Sequence, residues 1–266
     1  CDNQGPEQVK NVKCIAVDGT TATLSWSDVS DDDISYFVVE CKQSDGVWKS
    51  VSRTSTNLGV NLSGLTPEHD YVYRVIGYDK RSNRGTPSEE ITVTTLKDTI
   101  CPKVTKITPD PGYFKSEINL RFTAEDDYRV KSIEIQTSTD KESWKTVSEI
   151  KATGESAKCT FDCKLDLKNY EEGSVFVRAK VYDSYGNVTE DKDLTCYEYV
   201  VDRTAPVQPT GVTASSGETE GGSSFVNISW NAITDDNSFA YYRVYKSNSA
   251  DGEFTLLKNN IKTVNT

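Results

Sequence analysis

The sequence predicts an all-β chain of tandem two-sheet β-sandwiches, the third of them truncated. Three observations support this: segments that recur along the chain, apolar residues at every second position, and Pro-bearing joints that separate the repeats. LSWSDVSDDDISY at 24–36 returns as ISWNAITDDNSFAY at 228–241. Each reads as a strand B ending in Ser-Trp, a loop with consecutive aspartates, and a strand C opening on Tyr. KQSDGVWKSV at 42–51, QTSTDKESWKTV at 136–147 and KSNSADGEFTLL at 246–257 are polar tight turns followed by Trp or Phe and an alternating strand. They mark three C–C′ hairpins. YRVIGYD at 73–79 matches VRAKVYD at 177–183, and both run into Asn-bearing turns, giving two F strands with their FG turns.

Each element follows the period of a half-buried strand. Val12 and Cys14, Leu24 and Trp26, Phe37, Val39 and Cys41, and Tyr71, Tyr73 and Val75 alternate with polar neighbours, so one face of each strand is apolar. The joints KDTICP at 97–102 and DRTAP at 202–206 share an Asp, a Thr and a Pro, whose fixed φ sets an extended entry into the next strand. The expected domains are therefore 1–97, 98–203 and 204–266. The last holds only strands A, B, C and C′ and the start of E, and the chain reads as a fragment of a longer protein.

Residues 6–97, with Trp26 in strand B and LTPEHDY at 65–71 ahead of strand F, resemble a fibronectin type III domain. The resemblance implies that Tyr71 forms a tyrosine corner, its hydroxyl bonded to the backbone a few residues upstream. Residues 99–203 resemble the bacterial immunoglobulin-like modules that end in a D-x-x-G-N turn and a V-D-x-T-x-P linker, here Asp183–Asn187 and Val201–Pro206, with Phe122 in place of the strand B Trp. Residues 207–266 again resemble fibronectin type III. Arrays of this kind are similar to the stalks and accessory regions of large secreted or wall-attached bacterial proteins.

Composition narrows the functions. Against 30 Lys plus Arg stand 41 Asp plus Glu, a net charge of −11, and such a surface repels phosphate backbones and anionic lipid. Nucleic acid is excluded as a partner. No stretch approaches the ~20 apolar residues of a membrane helix, so no membrane insertion is expected within the sequence. The single His, His69, falls in the turn before strand F without a nucleophile or a third group to orient it. No enzyme is expected. The seven cysteines, at 1, 14, 41, 101, 159, 163 and 196, contain no C-x-x-C knuckle for zinc. Cys159 and Cys163, four apart in a strand, sit about 13 Å from each other at ~3.3 Å per residue. Cys14 and Cys41 read either as core thiols or as a bridge across the sandwich, and Cys1 as a fragment start or a lipidated first residue.

Three acidic groups fall in the expected BC loops: Asp31, Asp32 and Asp33, then Asp126 and Asp127 beside Glu125, then Asp235 and Asp236. Two readings stay open for them. Asp caps turns by accepting backbone N–H groups, and clustered carboxylates are what Ca²⁺ takes as oxygen ligands. No cofactor is expected apart from that calcium. Trp48, Trp144 and Phe254 hold the same place in C′ and read as shared packing anchors, with Trp26 and Trp230 as the core indoles. Arg81 and Arg84 of the FG loop, together with Tyr185 and Phe239, are candidate ligand contacts.

The function expected is a non-catalytic, extracellular or cell-surface spacer and adhesion region of a secreted or bacterial surface protein, monomeric, contacting other extracellular proteins. The alternative is a set of carbohydrate-binding accessory modules of a secreted enzyme or toxin, contacting cell-surface glycans.

Overall fold

A computed structural model describes residues 4–264, and its regular structure is β throughout apart from one 3₁₀ turn at Asp191–Asp193. Cys1 lies outside the described residues. The first module contains β1 (Lys13–Val17), β2 (Thr21–Ser25), β3 (Ile34–Lys42), β4 (Trp48–Thr54), β5 (Gly59–Ser63), β6 (Asp70–Asp79) and β7 (Ile91–Thr94). One sheet has the order β1-β2-β5 and the other β4-β3-β6-β7, all antiparallel. The two sheets close on the alternating residues named from the sequence: Leu24, Phe37, Val39, Tyr73 and Val75 are each at most 1% exposed. Burial of one such side chain stabilises the fold by about 1.5–3 kcal/mol.

The next strands are β8 (Lys103–Thr108), β9 (Tyr113–Phe114), β10 (Glu117–Ser138), β11 (Lys145–Asp166), β12 (Gly173–Asp183) and β13 (Tyr197–Val201). β10 is 22 residues long and changes partner along its length: Arg121–Glu125 pair with β8, and Val130–Ser138 pair with β12. Glu125, Asp126 and Asp127 thus stand within a strand and not in the loop that their charge suggests. The change of partner leaves the amides of Tyr128 and Arg129 off both ladders. Asp126 Oδ2 accepts them, at 3.3 and 3.1 Å.

Two compact units emerge. One runs up to Asp110 and takes in Asn119–Lys164 and Phe176–Tyr197; it holds the first module, β8 and most of β10, β11 and β12. Its second core includes Leu120, Phe122, Ile133, Ile135, Val177 and Val181, each at most 1% exposed. The other unit comprises Pro111–Ile118, Leu165–Val175 and the chain from Glu198. Within it β9 pairs with β13 in parallel, β14 (Thr213–Glu218) with β15 (Ser224–Ser229), and β16 (Tyr242–Lys246) with β17 (Thr255–Ile261). A small cluster of Trp230, Tyr242 and Ile261 forms the centre of this last part, with Phe239 and Val244 against it. Phe225 and Val226 on β15 remain exposed, as two paired strands have no second layer to cover them.

Trp26 and Trp230 each sit one residue past a strand end, 5% and 8% exposed. Their surroundings match. Trp26 meets Phe37 edge-on at 5.5 Å and 62°, and Trp230 meets Tyr242 at 5.1 Å and 68°. The Trp26 N–H bonds Leu58 O and the next residue bonds Lys10 O; the Trp230 N–H bonds Val264 O and the next residue bonds Thr210 O. Both indole nitrogens are buried without a partner.

Candidate functional site

The feature that stands out is the joint between the first and second modules, inside the first unit. The turn at Asp18 shapes one side, since Asp18 Oδ1 accepts the amides of Thr20 and Thr21 at 2.8 and 2.6 Å. This holds Thr20 so that its hydroxyl donates to Asp127 Oδ2 at 3.1 Å. Gly19 lets the linker approach: a Cβ there would lie 3.2 Å from Asp98 Cα and 3.3 Å from Asp98 N. From the other side the Tyr185 hydroxyl donates to Pro67 O at 3.1 Å, and Asn187 Nδ2 donates to Asp98 O at 3.2 Å.

Tyr185 and Asn187 are placed by the FG turn at the end of β12. Asp183 is 0% exposed; its Oδ1 accepts the amides of Tyr185 and Asn187, both at 2.8 Å, and its Oδ2 accepts Asn187 Nδ2 at 2.6 Å. Asp79 in the first module does the same, accepting the amides of Arg81 and Asn83 at 2.8 Å each and Asn83 Nδ2 at 2.7 Å. A five-residue Asp-to-Asn turn is thus built identically in both modules.

Three carboxylates converge in the joint. One oxygen each from Asp98, Asp126 and Asp183 lies within 4.8 Å of the other two. Asp98 is 1% exposed and gives Oδ1 to the Ile100 amide at 3.0 Å. Its Oδ2 and Asp126 Oδ1 are buried without any hydrogen-bond partner. Burial pushes the Asp126 carboxyl up to about 6; the Tyr128 amide opposes this, and the charges of Asp127, Asp98 and Asp183 add to it. Burial also raises Asp98, opposed by the Ile100 amide and reinforced by Asp127 and Asp183. Among the described residues no Lys or Arg forms an ion pair with any of the three. A depression of about 460 Å³, lined by Glu125, Asp126, Asp127, Glu190, Asp193 and Lys103 among others, opens on the same strand.

The expected metal residues divide. Asp126 belongs to the cluster, and Asp127 stands beside it bonded to Thr20. Asp31 Oδ1 accepts the Asp33 amide at 3.2 Å, and Asp32 O accepts Lys80 Nζ at 3.1 Å. Asp236 Oδ1 accepts Ser238 N and Oγ at 2.8 and 2.6 Å, and Asp235 is exposed. Sequence reasoning passed over Asp98 and Asp183. The signal was there, in the Asp shared by the two linkers and in the repeated YD that ends strand F, but neither lies near Asp126 in sequence.

Of the candidate ligand contacts, Arg81 is exposed, and Arg84 reaches Glu40 at 3.3 Å. Tyr185 is engaged in the joint and packs on Tyr128 at 5.8 Å; Phe239 packs on Tyr242 at 4.5 Å. The Tyr71 hydroxyl accepts the Thr66 amide at 2.8 Å. Trp48 and Trp144 are half-buried under equivalent strand F arginines, Arg74 and Arg178, each guanidinium 4.0 Å from the ring centre. Phe254 departs from this packing role. It is 66% exposed, because among the described residues the third module has no strand F to supply that arginine. Cys14 and Cys41 are free thiols, so the bridge that the sequence left open is not formed.

The geometry of the first module, seven antiparallel strands with a Tyr bonded back across the EF corner, matches a known family. Residues 7–94 match the family model of the fibronectin type III domain. Solved structures similar to the chain include the fibronectin type III domain of human fibronectin type III domain containing protein 3, 25% identical over 37% of this chain and 94% of that one, with a TM-score of 0.34. Another is the FN1–FN3 region of chicken CNTN1, 17% identical over 98% of this chain and 88% of that one, with a TM-score of 0.40. Fibronectin type III domains are in general non-catalytic spacer and interaction modules. Among the described residues no helix is long and apolar enough to cross a membrane.

Proposed function

We propose that this chain is a non-catalytic spacer and contact region of an extracellular or surface-exposed protein, holding consecutive modules at a set orientation so that neighbouring domains or partner proteins meet them in register. The observation that supports this is the joint. Thr20 to Asp127 and Tyr185 to Pro67 are two hydrogen bonds from one module to the other, and they form together only if the two modules keep one arrangement. The carbohydrate-binding alternative has less to rest on, since the Tyr185 and Phe239 rings are spent on packing.

Nuclear relaxation of the full chain tests the proposal. The first and second modules are expected to tumble with one correlation time, and the double substitution Thr20→Val, Tyr185→Phe, which deletes both bonds with little change of shape, to separate their motions. Independent tumbling in the unsubstituted chain would overturn it.

A further inference from the structure

We propose that Asp98, Asp126 and Asp183 bind one Ca²⁺ at the joint between the first and second modules. The three ligand oxygens lie within 4.8 Å of one another. Ca²⁺ holds oxygens at 2.3–2.6 Å, so two of its ligands stand at most about 4.6–5.2 Å apart, and the three oxygens fall inside that span. The donors are all carboxylate, which selects a hard cation over zinc or copper.

The second observation is the state of the buried oxygens. Asp98 is 99% buried, yet its Oδ2 has no partner, and Asp126 Oδ1 beside it has none either. A carboxylate oxygen deprived of both water and a donor makes the ionised form costly, and a cation beside it removes that cost. Each acid has meanwhile given an oxygen to backbone amides: Asp98 to Ile100, Asp126 to Tyr128 and Arg129, Asp183 to Tyr185 and Asn187. Those bonds fix the carboxylate planes before any ion arrives. Water completes a shell of six to eight ligands by way of the acidic depression next to Asp126.

One part of the plan, the linker Asp that caps the backbone two residues on, recurs in the other unit. Asp202 Oδ1 accepts the Thr204 amide at 3.0 Å, as Asp98 accepts Ile100, and Asp202, Asp235 and Asp236 line one cavity of about 390 Å³. The site lies where the spacer reading places its rigidity, but the two fail separately. Modules that tumble together without calcium and never bind it would leave the spacer standing and remove the ion.

Calorimetric titration of the chelator-stripped full chain with CaCl₂, with MgCl₂ in parallel, tests the site. Saturable Ca²⁺ uptake is expected, weakened at least tenfold by Asp126→Asn and by Asp98→Asn, unchanged by Asp31→Asn, and much weaker for Mg²⁺. Melting adds a crossing. In EDTA, Asp126→Asn is expected to melt at or above the unsubstituted chain, having lost a like charge; in millimolar CaCl₂ it is expected to melt below it. Terbium emission sensitised by Tyr128 and Tyr185 and displaced by CaCl₂ gives a readout that needs no variant. No uptake and no displaced emission in the unsubstituted chain overturns the proposal, as does uptake that both Asn variants retain in full.

Discussion

Single side chains in this protein hold the backbone wherever the ladder stops. Tyr71 illustrates this, with its hydroxyl taking the Thr66 amide at the corner before β6. Tyr71→Phe is expected to destabilise the first module by about 1 kcal/mol, read from the urea midpoint at unchanged m value. Asp140 is another case, since its Oδ1 accepts the amides of Glu142 and Ser143 and the Ser138 hydroxyl. The Ser143 amide is the largest of the causes that hold this carboxyl down to about 2. A depressed carboxylate contributes stability that is complete above its unfolded value near 4 and disappears as the pH falls through about 2. The loss of stability between pH 4 and 2 is expected to be smaller in Asp140→Asn than in the unsubstituted chain, and equal slopes would contradict this. The core residues were legible from sequence because alternation reports burial directly. The partners of Asp98 and Asp183 were not, because they depend on which loops meet at one end of a sandwich.

At the scale of elements, the same device appears in successive modules. The C′ tryptophans Trp48 and Trp144 lie under Arg74 and Arg178, which come from matching places in β6 and β12. Strand alternation brings those arginines to the outer face, where the ring gives the cation a partner. A double-substitution cycle with Trp144→Leu and Arg178→Ala is expected to show a coupling of about 0.5–1 kcal/mol, measured by denaturant unfolding, and a coupling near zero would deny the contact any role. β10 shows what the sequence obscured. The run Glu125-Asp126-Asp127 has the polarity of a loop, yet the backbone stays extended while it passes from β8 to β12. Composition reports exposure well and partner exchange poorly.

For the molecule as a whole, the Pro-bearing segments at 97–102 and 202–206 were the visible sign of organisation, and the tandem β-sandwich class follows from them together with the repeats. What composition could not convey is that the first such segment is a structural participant, with Asp98 buried and bonded and Asn187 reaching back to it. The last four strands have a far smaller centre, Trp230, Tyr242 and Ile261. Residues 204–266 expressed alone are expected to lack a cooperative melting transition, as calorimetry would show, since so little apolar surface leaves water. The central claim is that the three clustered aspartates hold the backbone at the joint in one arrangement in solution, and amide hydrogen exchange on the full chain tests it most directly. The amides of Ile100, Tyr128, Arg129, Tyr185 and Asn187, all bonded to the three clustered aspartates, are predicted to exchange as slowly as those of the neighbouring strands. Exchange at the rates of an unstructured chain would contradict it.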